Sequence, residues 1–130
     1  MSKTVLIVED DPEDINLLTE AFSEIDPAME FLTAHNGLEA LTILDKSTIQ
    51  PHLIILDMNL PKMNGINCLA EIKKDKRYTG IPVVLFSSTF LHYSQDALKD
   101  LGANYCIKKP NNYGELRTTS LFFYSLLSGK

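Results

Sequence analysis

Cysteine is scarce, with only Cys68 and Cys106, far apart in sequence. Two such residues make neither a disulfide framework nor a CxxC metal or redox motif, so free thiols are expected. A basic field is missing as well. Seventeen acids against 12 lysines and arginines leave a formal net charge of −5, which offers no broad attraction to phosphates and argues against a nucleic acid partner. Long apolar runs are also absent. No window approaches the ~20 residues of a membrane span, and the apolar stretch in MSKTVLIVED meets an acid too soon for a signal peptide. A soluble, cytoplasmic protein with no membrane association is expected. Internal repeats, low-complexity tracts and linkers are lacking too. With 45% apolar and 22% charged residues among 130, the composition is that of a globular chain with one core. A single domain over residues 1–130, with no effector domain attached, is the reading.

What is present is alternation. Apolar runs bounded by turn signals fall at Thr4–Val8, Glu30–Ala34, Leu53–Leu56, Val83–Phe86 and Tyr105–Ile107. Between them lie segments with helical spacing, such as Ile15, Leu18, Ala21, Phe22 and Ile25. Pro12 or Asp14 suits the entry of the first helix and Pro27 lies past its end. The second opens after Asn36-Gly37, a third runs from Gly65 to Lys74, a fourth from Ser94 to Leu101, and the last begins near Asn112. Strands separated by helices imply βαβ crossovers, and hence an α/β fold with a doubly wound parallel sheet and helices on both faces. Ligands of such sheets bind outside the carboxyl ends of the strands, at a switch point in strand order.

Those ends carry chemistry. The run LIIL stops on Asp57, where burial would penalise a carboxylate unless something offsets its charge. The first strand ends in Glu9-Asp10-Asp11, the fourth in Ser87-Ser88, the fifth in Lys108-Lys109-Pro110. If the first and third strands are neighbours, Glu9, Asp10 and Asp57 converge and raise one another's pKa values when left alone. A hard divalent cation such as Mg²⁺, which takes oxygen ligands and keeps several waters, resolves that repulsion. Acids, a metal, a hydroxyl from Ser87 and an ammonium from Lys109 together suit a phosphoryl group, whose oxygens need neutralising on every side. Asp11, beside Pro12, reads as a cap or solvated acid. Ser88 competes with Ser87, and the position directly after VVLF favours Ser87. Lys108 should face solvent, because neighbouring strand residues point to opposite faces. His35, His52 and His92 show no metal spacing.

The ordered set VLIVEDDPED, NGLEAL, LIILDMNLPKMNG, IPVVLFSS and LGANYCIKKP resembles the receiver domain of response regulators, the phosphoacceptor module of two-component signalling, in its stand-alone form similar to the chemotaxis regulator. The resemblance covers nearly the whole chain. It implies a five-stranded sheet in the order 2-1-3-4-5 and makes Asp57 the phosphoacceptor. It further implies Mg²⁺ bound directly by Asp10, Asp57 and the main-chain carbonyl of Asn59, and through water by Glu9. Ser87 and Lys109 would contact the phosphoryl group and take part in the switch, with a cis peptide before Pro110. The partners implied are a histidine kinase or phosphotransfer protein and a downstream protein target, and a weak dimer is compatible with them. Such a protein is a regulatory phosphoacceptor rather than a metabolic enzyme.

Two departures from the family pattern stand out. Cys106 occupies the position where many receivers carry a switching Tyr or Phe, with Tyr105 beside it. The last helix, with SLFFYSLLSGK, is apolar nearly all round, beyond the one stripe a sheet-covering helix needs. Phe90, Leu91, Cys106, Phe122 and Phe123 are therefore expected to contribute to a partner surface. Among rivals, an aspartate-nucleophile phosphatase commonly has an acid two residues after the nucleophile, where this chain has Asn59, which cannot donate and recover a proton. A receiver-shaped binding module working without phosphate is the other. A flavodoxin-like nucleotide carrier is disfavoured, because Glu9-Asp10-Asp11 would repel phosphate.

Overall fold

The computed structural model describes residues 2–90 and 93–127. Strands β1 (Thr4–Val8), β2 (Glu30–Ala34), β3 (Leu53–Leu56), β4 (Val83–Ser87) and β5 (Tyr105–Lys108) alternate with helices α1 (Pro12–Ile25), α2 (Gly37–Lys46), α3 (Gly65–Lys74), α4 (Gln95–Asp100) and α5 (Tyr113–Leu127). The strands form one parallel sheet in the order β2-β1-β3-β4-β5. This is the predicted doubly wound, flavodoxin-like architecture, and its switch point lies between β1 and β3.

Strand alternation sorts the core into two layers. Leu6, Val8, Ile54, Leu56, Val83 and Leu85 face α2, α3 and α4, meeting Ala40, Leu44, Leu69, Ile72 and Leu98. Val5, Ile7, Leu53, Ile55, Val84 and Phe86 face α1 and α5, meeting Leu18, Phe22, Leu116 and Phe123. Each central strand is buried on both faces, which is why its sequence reads as an unbroken apolar run. Helix starts are set by side chains that accept the first free amides: Asp11 from Glu13, Asn36 from Glu39, Asn64 from Asn67 and Ser94 from Ala97. Asp11 is thus a cap, with Pro12 at the first helical position. Both cysteines are free and buried, and burial pushes the Cys68 thiol up to about 12.

Two expectations for the partner surface, Phe123 and Cys106, need correcting. Phe123 is fully buried and packs edge-on against Phe86, 5.2 Å between centroids. Successive helical residues lie about 100° apart, so Phe122 and Phe123 cannot share one face. Phe122 is the exposed member, stacked edge-on against Tyr105 at 5.2 Å. Cys106 is buried in the layer beneath α3 and α4, and Phe90 is half-buried against that same layer. Leu91 lies outside the described residues.

The far ends of α1 and α5 are tied where the Tyr124 hydroxyl donates to Asp26 at 2.7 Å, a bond that holds the Asp26 carboxyl below its usual range. A carboxyl depressed in the folded state stabilises above its unfolded pKa, about 4, and that stabilisation is lost as pH falls through the folded value. Tyr124→Phe should therefore lower the thermal midpoint at neutral pH, and its melting curve should converge on the parent's in acid. A gap of constant size at all pH would contradict this tie.

Candidate functional site

The carboxyl ends of β1, β3, β4 and β5 bring Glu9, Asp57, Ser87 and Lys109 together. Hydrogen bonds in register carry the ladder right up to the site: the Asp57 amide donates to the Val8 carbonyl and the Lys109 amide to the Ser87 carbonyl, at 3.0 and 2.9 Å. Asp57, Glu9 and Ser87 are all buried. A ligand oxygen from each of Glu9, Asp10 and Asp57 lies within 4.8 Å of the others, with Asp10 on the exposed side. Such a set of hard oxygen donors fits a small divalent cation.

Asp57 is bonded on both oxygens. Its Oδ1 accepts from the Ser87 hydroxyl at 2.8 Å and from the Asn59 amide at 3.1 Å, and its Oδ2 accepts from the Lys109 ammonium at 3.0 Å. Lys109 also donates to Glu9 Oε1 at 2.5 Å and to Asp14 Oδ2 at 3.0 Å. Burial alone would raise the Asp57 carboxyl, but the Asn59 amide, Lys109 and the Ser87 hydroxyl outweigh it and hold it below the usual range. Glu9 goes the other way. Burial, aided by the Asp57 charge and only partly opposed by Lys109, pushes it up to about 7. The mutual repulsion expected of the crowded acids is therefore felt at Glu9, while Asp57 keeps the ionised form a nucleophile needs. Lys109 is held charged, since its three acidic partners more than compensate for its desolvation.

Lys108 is exposed and Lys109 turned inward, as strand alternation requires. Ser87 takes the contact with Asp57, whereas Ser88 is exposed. The peptide before Pro110 is trans, because no cis bond occurs among the described residues. This corrects the cis expectation. A trans bond is the intrinsically favoured isomer for X–Pro, by about 0.5–1 kcal/mol, and Lys109 reaches all three of its carboxylates with it.

Several contributors escaped the sequence reading. Asp14, which the sequence marks only as a candidate for helix entry, stands in the first turn of α1, four residues after Asp10. The Asn59 side-chain amide donates to Ser87 Oγ at 3.3 Å, fixing the hydroxyl from behind. Gly65 lets the start of α3 lie directly on the Asp57 backbone: a Cβ there would fall 2.2 Å from the Asp57 carbonyl oxygen. Between Asp57 and Gly65 the loop turns through Lys62 at φ 65°, a left-handed conformation uncommon for residues with side chains.

A doubly wound parallel sheet whose switch point gathers acids, a hydroxyl and an ammonium defines a receiver-type signalling module. The comparisons with known proteins agree: residues 5–120 match the response regulator receiver domain, and the chain belongs to that family. It is 32% identical over 119 residues to the response regulator Rcp1 of Synechocystis, covering 88% of this chain and 81% of Rcp1. It is 38% identical over 116 residues to the CpxR homolog of Haemophilus influenzae, a transcriptional regulatory protein, covering 89% of this chain and 47% of that protein. Among solved structures, the phosphorylated cyanobacterial phytochrome response regulator RcpA superposes with a TM-score of 0.90 at 32% identity, covering 99% of this chain and 96% of that one. The Mn²⁺-bound form of Rcp1 gives 0.84 at 30% identity, covering 95% and 92%. Membership makes the chain a phosphoacceptor signalling module rather than a metabolic enzyme, with a histidine kinase as the partner class. Among the described residues no helix is long and apolar enough to cross a membrane.

Proposed function

We propose that this chain takes a phosphoryl group from a phosphohistidine of a histidine kinase or phosphotransfer protein onto Asp57, and that the modification changes its binding to a downstream protein. The observation that carries this is the state of Asp57: an ionised, buried carboxylate held between Ser87, the Asn59 amide and Lys109, with Glu9 and Asp10 alongside. An Asp57 oxygen attacks phosphorus, the P–N bond breaks, and its electron pair remains on the imidazole nitrogen, leaving an acyl phosphate on Asp57. Lys109 neutralises the transferring group. Ser87, relieved of its carboxylate acceptor, donates to a phosphoryl oxygen instead, and the shift of β4's end is the start of the switch.

Mg²⁺ is the proposed cofactor; Asp10, Asp57 and the Asn59 main-chain carbonyl would hold it, with Glu9 assisting through water. When bound it supplies electrostatic neutralisation of the phosphoryl oxygens. The Mn²⁺ found in the Rcp1 structure supports a divalent ion in this chain's acidic trio. Action of this receiver domain in the cytoplasm completes the reading. The phosphatase alternative is weakened by Asn59, whose side-chain amide is engaged with Ser87 and cannot serve as a general acid or base. Incubation with acetyl phosphate and MgCl₂ should add one phosphoryl group to the intact mass, stable in acid and lost in base. No mass gain, or an equal gain with the metal chelated, would sink the proposal.

A further inference from the structure

We propose that Asp14 is a positioning residue that restrains the Lys109 ammonium in the unphosphorylated protein and releases it to the incoming phosphoryl group; this rests on the reading of Asp57 as the phosphoacceptor. An ammonium has three donors and no acceptor. Here Glu9, Asp14 and Asp57 engage it at 2.5, 3.0 and 3.0 Å. No donor is left over for a phosphoryl oxygen, so one of these contacts must open before Lys109 can neutralise the transferred group.

The three partners are not equivalent. The Glu9 and Asp57 side chains are each 8% exposed, whereas that of Asp14 is 40% exposed. Before transfer, separating Lys109 from either buried acid takes away that acid's cation in a poorly solvated place. Asp14 can rehydrate at once, so it is the contact that opens. It also stands outside the acidic trio of Glu9, Asp10 and Asp57, and so acts on the lysine rather than on a metal. Its placement is firm: it sits in the first turn of α1, behind the Asp11 cap and next to the buried anchor Ile15. A carboxylate fixed there sets where the ammonium rests, and adds a negative charge at the mouth through which an anionic phosphodonor enters.

Replacing Asp14 by Asn leaves Lys109 only a neutral amide oxygen there, which weakens that contact, and removes the charge, so that the phosphodonor is captured more readily. The test measures labelling rate against acetyl phosphate concentration in MgCl₂ for the parent, Asp14→Asn, Asp14→Glu and Asp11→Asn. Asp14→Asn should lower the half-saturating donor concentration roughly threefold or more. Asp14→Glu should lie close to the parent. Asp11→Asn removes one carboxylate from the same end of α1 while keeping a good cap, and, having no contact with Lys109, should change half-saturation clearly less. The Lys109 ammonium resonance of the unlabelled protein gives a second readout, which Asp14→Asn should shift. An unshifted resonance, unchanged half-saturation in Asp14→Asn, or an equal change in Asp11→Asn would each overturn the role of Asp14. Failure of the parent itself to label would instead overturn the phosphoacceptor reading, and this inference with it.

Discussion

Lys109→Ala is expected to unfold more easily than the parent in metal-free buffer, and the deficit should be larger at about pH 8 than at about pH 5.5. The Lys109 ammonium touches Glu9, Asp14 and Asp57, and its own side chain is 15% exposed. Breaking a buried pair from one side costs on the order of 3–5 kcal/mol. The hydrated Asp14 carboxylate reduces that, so about 3 kcal/mol is the expected loss. The pH dependence comes from Glu9, which burial already pushes from 4.5 up to about 7. An acid whose folded pKa lies above its unfolded value binds the extra proton in the folded state, so stability falls as pH rises between the two values. Without Lys109 the folded value climbs further. At the acidic end of that window Glu9 is neutral and needs no cation, while at the basic end the folded variant must either keep a proton on Glu9 or bury its charge without a partner. Mg²⁺ should narrow the gap at about pH 8 by supplying the missing positive charge. A deficit of the same size at both pH values would contradict this electrostatic account.

Gly65→Ala should be severe for a different reason. The added Cβ would lie 2.2 Å from the Asp57 carbonyl oxygen, 2.6 Å from Met58 Cα and 2.9 Å from the Asp57 carbonyl carbon. All three are backbone atoms, and Gly65 is further pinned by its amide donating to the Met58 carbonyl at 3.0 Å. No side chain can swing away to make room. Either α3 lifts off its cap or the Asp57 backbone moves, at a cost of about 3 kcal/mol for overpacking of this kind. Moving that backbone by about 1 Å misplaces the nucleophile and should slow labelling roughly 100-fold. A melting curve and a labelling time course together check this. A variant that melts and labels like the parent would show that the α3 start does not set the position of Asp57.

The parallel sheet and the meeting of its strand-end side chains were legible for linked reasons, while the strand order rested on the family resemblance. An unbroken apolar run such as LIIL has nowhere to go but the middle of a parallel sheet, and an acid directly after it must then lie on the sheet's carboxyl edge. Four strand ends carrying Glu9, Asp57, Ser87 and Lys109 pointed to one place because the fold has one such edge. Contacts that depend on which side of a helix faces in were harder. Spacing of Leu116, Ser120, Phe123 and Leu127 marks the inner stripe of α5 and places Phe123 inside it. Treating Phe122 and Phe123 as one apolar pair ignored the turn between them. Cys106 enters the expected partner surface through its place at the family's aromatic switch position, yet on β5 it alternates with the exposed Tyr105 and falls on the buried side. Asp14 was hidden by its ordinary place in a helix's first turn, where acids are common for reasons of the helix dipole alone. The close approach of Gly65 was also invisible, since only the folded loop shows what a Cβ would meet.

Identical treatment of the parent and Asp57→Asn with acetyl phosphate and MgCl₂, followed by intact mass, tests the central claim most directly. Asn at this position keeps the side-chain shape but lacks the anionic oxygen that attacks phosphorus. The parent should gain a single base-labile phosphoryl mass, and Asp57→Asn should gain none while remaining folded. A gain of equal extent in both proteins would place the phosphoryl group elsewhere and contradict the assignment of Asp57.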